Sequence, residues 1–118
     1  MAAHLNELTS IEELTGVLDE SEQRPVLIFK HSNACPISAR ALSEFRRFLE
    51  DADSTGASYN MVTVQEARAV SDEIASRLAL EHESPQAIVV RNRRPVWNAS
   101  HFGITAGSLS DAISADAV

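Results

Sequence analysis

Cys35 is the only cysteine in a sequence of 118 residues, and it stands in the string Ala34-Cys35-Pro36-Ile37-Ser38. Before it comes an apolar run, Val26-Leu27-Ile28-Phe29, and a helical stripe starts just after it at Ile37. A lone thiol so placed has two readings. One is a nucleophile, because a helix N-terminus offers unpaired N–H groups and the positive end of the helix dipole, both of which favour a thiolate. The other is a small buried hydrophobe, as free cysteines often are. Pro36 suits the first helical position, where its missing N–H removes nothing. Ser38, three residues on, falls on the same helical face one turn along and is placed to donate a hydrogen bond to the sulfur. A hydroxyl makes no disulfide, so exchange at Cys35 would need an external thiol to finish it.

The elements that must position this thiol are readable in order. Ser10 and Glu13 form a capping box ahead of a helix predicted over Ile11–Asp19. Val26–Phe29 lacks alternation, which predicts a strand buried on both faces. Ile37, Ala41, Leu42, Phe45, Phe48 and Leu49 recur at helical spacing, with Arg40, Glu44, Arg47 and Glu50 outside the stripe. Residues 51–58, with Ser54-Thr55-Gly56, read as a loop, and Tyr59–Val64 as a strand. Ala67, Val70, Ile74 and Leu78 mark a third helix, with Glu73 and Arg77 as an i, i+4 pair. Ala87–Val90 and Val96–Ala99 flank the polar Arg91–Arg94 link as a hairpin. Thr105 caps a last helix, with Ile104 and Leu109 as its hydrophobic staple. The order is helix, β, α, β, α, β, β, α. It predicts one α/β domain over residues 1–118, with a four-stranded mixed sheet, flanking helices, an N-terminal helix and a parallel first β-α-β unit.

This order suggests a thioredoxin-like fold, and three segments sharpen the resemblance. They are Lys30-His31-Ser32-Asn33-Ala34-Cys35-Pro36-Ile37-Ser38, His82-Glu83-Ser84-Pro85-Gln86, and Trp97-Asn98-Ala99-Ser100-His101-Phe102-Gly103-Ile104-Thr105. Together, and in that order, they resemble the monothiol bacilliredoxin (YtxJ-like) family over about Ile11 to Ile113. The resemblance implies a Cys-Pro-Ile-Ser active site in a thioredoxin-like fold. It makes Cys35 the nucleophile and Pro85 an opposing cis proline, with Ser84 before it offering backbone groups to a bound thiol or peptide. It also implies bacillithiol as the external small thiol and S-thiolated proteins as partners, with no bound cofactor. No single residue specifies bacillithiol. The chain departs from the family at Asn33-Ala34, where a Thr–Arg-like pair is expected. If a cation there holds the thiolate or its ligand, His31, Lys30 and Arg40 are the candidates, the other reading of His31 being a strand-end residue that makes an ordinary hydrogen bond. Trp97 and His101 share strand parity and so fall on one face, Trp97 as core. His4 and His82 have no evident role.

The reading is a monothiol disulfide reductase that takes a small thiol off protein mixed disulfides. Two alternatives come from other classes. One is a monothiol-glutaredoxin-like iron–sulfur carrier, whose Cys-Gly-Phe-Ser differs from the string here. The other is a thioredoxin-fold adaptor with an inert Cys35. A peroxidase is weaker, since the threonine and arginine it needs are not evident. The net charge of -7 argues against nucleic acid. Arg91, Arg93 and Arg94 read as a solvated turn. No metal-ligand spacing is present. The N-terminus lacks a basic region followed by an apolar run, and Val26–Phe29 is far short of the roughly 20 residues that span a bilayer. A cytoplasmic protein without membrane contact is expected, and the single cysteine fits a reducing compartment.

Overall fold

The computed structural model describes residues 3–52 and 56–116, so the Ser54-Thr55 part of the predicted loop lies outside the described residues. The elements are β1 (Leu5–Glu7), α1 (Ile11–Glu20), β2 (Val26–His31), α2 (Pro36–Glu50), β3 (Ser58–Thr63), α3 (Arg68–Leu78), β4 (Gln86–Arg91), β5 (Arg94–Ser100), a 3-10 turn at His101–Gly103, and α4 (Ala106–Asp116). Five strands form one sheet in the order β1-β3-β2-β4-β5. β2 runs parallel to β3 and antiparallel to β4, and β4 and β5 form the antiparallel hairpin.

The sheet has one strand more than the sequence pattern predicts, and α1 is not the first element. β1 is three residues long, and only Leu5 is apolar. It exists by pairing in parallel with β3, Leu5 opposite Tyr59, and the Asn6 amide donates to Asn60 Oδ1 at 3.3 Å. No period-2 pattern can build up in so short a segment.

β2 is central, and its residues divide two cores. Leu27 and Phe29 face α2 and α4, where they meet Phe45, Phe48, Leu49, Leu109 and Ile113. Val26 and Ile28 face α1 and α3, among Leu14, Leu18, Val70, Ile74 and Leu78. The Phe29 and Phe45 rings lie 5.0 Å apart and are both 0% exposed. Each fully buried ring of this kind contributes about 1.5–3 kcal/mol through desolvation. Strands covered on both faces are continuous apolar runs for this reason.

The caps follow the sequence. Glu13 N–H donates to Ser10 Oγ, and Ser10 N–H donates to Glu13 Oε1, both at 3.1 Å. Ser108 N–H donates to Thr105 Oγ1 at 3.0 Å, and Ile104 and Leu109 are buried together. The arginine turn is a surface structure. Asn92 and Arg93 have positive φ, and Arg93 pairs with Asp19 and Glu22. It is also tied inward: Asn92 N–H and Arg91 Nη1 both donate to Ser21 O, and Arg93 N–H donates to Ser21 Oγ.

Candidate functional site

The site is built where β2 stops and α2 starts. β2 continues past its apolar run to Lys30 and His31, because both are paired on both sides or capped by neighbours. Lys30 is opposite Val62 and Gln86, and Val64 N–H donates to His31 O at 2.8 Å. Residues 32–34 then turn the chain, and Cys35 is the N-cap of α2 with extended backbone, φ −122° and ψ 123°. Its thiol is half-buried and unpaired with any other sulfur, and its side chain makes no capping bond. Pro36 opens the helix and is exposed.

Ser38 behaves differently from expectation. It is 0% exposed, and its Oγ accepts from Ser32 N–H at 2.9 Å and lies 2.9 Å from His31 Nδ1. These bonds hold the hydroxyl, so it serves His31 and the loop rather than the sulfur. The face rule for residues three apart holds between helical residues. Cys35 is an extended N-cap, so it does not share that geometry. The hydroxyl gives its proton to Nδ1 or accepts one from it, according to the ring tautomer.

His31 is half-buried, and its ring stacks at 6.1 Å on Phe29. Burial, reinforced by the positive charge of Arg46 and opposed by Glu7, lowers its pKa from the usual 6.5. The ring is therefore held toward its neutral form and is a poor cation for a thiolate. Lys30, the second candidate cation, is buried on the α3 side of the sheet with Ile28. Arg40 is the exposed one, and its guanidinium lies 5.2 Å over the ring of Phe102, which is 61% exposed.

One residue that sequence reasoning passed over clamps the loop. Gln65, just after β3, accepts from Asn33 N–H at 3.1 Å and donates to Ser32 Oγ at 2.7 Å. Its only advance sign is its position beyond β3, the parallel neighbour of β2, which sets it level with the loop.

Pro85 comes to the same sheet edge from the next strand. Lys30 and Gln86 are partners across β2 and β4, so one more step of the register sets Pro85 opposite His31. The Ser84–Pro85 bond is cis, and Pro85 O accepts from His101 N–H at 3.2 Å. Cys35, Pro36, His31 and Ser38 are thus gathered at one strand–helix junction, with Ser84 and Pro85 beside it. Trp97 packs against the α2 core as expected. His101 does not continue its strand face. β5 ends at Ser100, and His101 turns the chain at φ +53° with its ring 3.8 Å from Glu83.

Known proteins share this fold. A solved structure presented as an oxidoreductase with a thioredoxin fold matches with a TM-score of 0.81 and 38% identity, covering 92% of each chain. The thioredoxin of Malassezia sympodialis matches at 0.76 and 13% identity, covering 98% of this chain and 93% of its own. The Fasciola hepatica thioredoxin matches at 0.75 and 11%, covering 94% and 98%. The latter two share the fold. Fold and site together define a thioredoxin-like thiol oxidoreductase. The profile of the monothiol bacilliredoxin BrxC matches residues 6–109, and the chain belongs to that family.

Proposed function

We propose that this protein is a monothiol reductase that removes a low-molecular-weight thiol of the bacillithiol type from mixed disulfides on cytoplasmic proteins. The observation that carries the reading is the half-exposed Cys35 thiol at the N-terminus of α2, in a sequence that offers no second sulfur of the cysteine kind. The Cys35 thiolate attacks the small thiol's sulfur in the mixed disulfide. The protein sulfur leaves with the electron pair of the broken bond and becomes a thiol. Cys35 is left carrying the small thiol, and a second small thiol from solution releases it as a symmetric disulfide. The loop fixed by Ser38 and Gln65 presents the sulfur, and the backbone beside Pro85 receives the substrate.

Intact-mass spectrometry tests the cycle. Given S-thiolated substrate and no free thiol, the protein should stop after one turnover and gain the mass of the small thiol on Cys35. Cys35→Ser should do nothing. Repeated turnover without added thiol refutes the one-cysteine cycle.

A further inference from the structure

Arg40 and Phe102 meet on the Pro85 side of α2. Phe102 is the most exposed large hydrophobic side chain among the described residues. Its neighbours are held in place: His101 N–H donates to Pro85 O at 3.2 Å, Ile104 N–H donates to His101 O at 3.2 Å, and Ile104 is buried in the α2 core. The ring carries a cation, the Arg40 guanidinium, 5.2 Å from its centroid. An aromatic face seats the guanidinium plane and leaves its N–H edge free to donate.

This pair is linked to the thiol from two directions. Cys35 is followed by Pro36, the first residue of α2, and Arg40 lies one turn after Pro36 on the same face. A helical side chain leans toward the helix N-terminus, so Arg40 covers the turn that Pro36 begins. From the other side, Phe102 follows His101, which is bonded to Pro85. Arg40 stands about 7.5 Å beyond Cys35 along the helix axis, which sets it to meet the far end of a group attached at Cys35 rather than the sulfur.

Arg40 has no ion pair among the described residues. Glu44, one turn further along α2, has both oxygens engaged: Oε1 accepts from Ala106 N–H at 2.9 Å and Oε2 from Arg47 Nη1 at 3.0 Å. The other cations near the thiol are placed elsewhere. His31 is held toward neutrality, first by burial, Lys30 is buried on the α3 side, and Arg46 and Arg47 stand more than a turn beyond Arg40. The net charge of -7 repels anions from the molecule as a whole, so an anion held at this rim is held by Arg40.

We propose that Arg40, laid on the Phe102 ring, binds a carboxylate of the small thiol that Cys35 takes up, and so selects anionic thiols. The proposal rests on the disulfide-exchange reading above. A planar guanidinium meets a carboxylate with two parallel N–H donors, and any small thiol built on cysteine with its acid group intact brings thiol and carboxylate together. The small thiol suits the place better than the protein partner does, because in that cycle it is the small thiol that becomes bonded to Cys35 and stays after the protein has left.

Small symmetric disulfides test this without a protein substrate. The disulfide of mercaptopropionate is anionic, and that of the corresponding amide is neutral and of the same size. In each reaction the Cys35 thiolate bonds to one sulfur, the disulfide breaks, and the other half leaves with the electron pair as a thiolate that water protonates. Intact mass follows the adduct at neutral pH and low salt. Wild type should take up the anionic thiol about fivefold faster than the neutral one. Arg40→Gln should bring that ratio to about one, and Phe102→Leu to about two, since the guanidinium then keeps its charge and loses its seat. A wild-type ratio of one or below, or a ratio that survives in either variant, overturns the proposal. Uncharged iodoacetamide gauges the sulfur itself: a loss in Arg40→Gln as large as that on the anionic disulfide puts the effect on the thiolate and refutes the carboxylate contact. A charge preference seen only on protein mixed disulfides flanked by acidic residues assigns Arg40 to the protein partner and refutes the small-thiol assignment. Thiosulfonate reagents attach the same two groups to Cys35 whether or not the protein exchanges disulfides. In those adducts the Arg40 Nε–H resonance, identified by its loss in Arg40→Gln, should shift with the carboxylate and stay in place with the amide. A wild type that reacts with neither disulfide refutes the exchange reading, and this resonance then decides the proposal.

Discussion

Replacing Lys30 by methionine keeps an unbranched side chain, one heavy atom shorter, and removes its charge, so the stability of Lys30→Met reads what that buried charge costs. The ammonium is disfavoured in the fold: its pKa falls from 10.5 to about 8 through burial, offset in part by Asp72 and Glu83. At pH 7 both folded and unfolded chains carry the proton, and the folded state bears the full cost. Two and a half pKa units at 1.36 kcal/mol each come to about 3 kcal/mol. Between pH 8 and 10.5 the unfolded chain binds more protons than the folded one, so wild-type stability rises with pH in that window. At pH 10 the folded lysine is neutral and the unfolded one still largely charged, which leaves a cost of only about 1 kcal/mol. Urea unfolding of both proteins at pH 7 and pH 10 reads the difference, and other titrations cancel between them. Lys30→Met should be the more stable by about 3 kcal/mol at pH 7, falling to about 1 kcal/mol at pH 10. A mutant less stable than wild type at pH 7, or a gap that does not narrow with pH, would show that Lys30 is paired in solution and the reasoning is wrong.

Ser38→Ala deprives Ser32 N–H and His31 of their shared partner and should cost about 1–3 kcal/mol in urea unfolding, with slower reaction at Cys35 as the loop loosens. His31, with its pKa lowered by burial, binds fewer protons folded than unfolded. Its contribution is therefore complete above about pH 6.5 and lost as pH falls toward the lowered value, so the stability gap between wild type and His31→Phe should shift against wild type in that window. Ser10→Ala removes the α1 cap and should lower stability by about 1 kcal/mol without touching thiol exchange. Gln65→Ala should slow exchange at Cys35 with little change in global stability, since Gln65 is exposed and, among the described residues, its side chain bonds to residues 32 and 33.

Elements whose signal is local were legible from the residues alone. Ser10 and Glu13 lie three positions apart, and Thr105 and Ser108 likewise, so a cap is written within one turn of chain. The Val26–Phe29 run declares a strand with both faces covered. Lys30 and His31 are polar and hid the last third of that strand, although its ladder bonds ignore side-chain polarity. The place of Cys35 ahead of α2 was legible from the residues around it, and the cis bond at Pro85 through a family resemblance that spans most of the chain. What stayed hidden are the hydrogen bonds of Gln65 with residues 32 and 33 and of Ser38 with His31, and the register that sets Lys30 opposite Gln86. Each depends on strand register or on the extended N-cap at Cys35, and neither is encoded by residue type at a fixed spacing. β1 was missed for a related reason, being a strand only in the presence of β3.

The binding of the Arg91–Arg94 turn to Ser21 has a consequence for how the sheet opens. A solvent-exposed hairpin turn ordinarily frays first, and its amides exchange with deuterium almost as fast as in free peptide. Here the amides of Asn92 and Arg93 end on the carbonyl and hydroxyl of Ser21, a fully buried residue where α1 stops. Those two protons can leave only when the end of α1 separates from the hairpin. They should exchange together and at the rate of the interior, so the tip of the hairpin reports the cooperative opening of segments seventy residues apart.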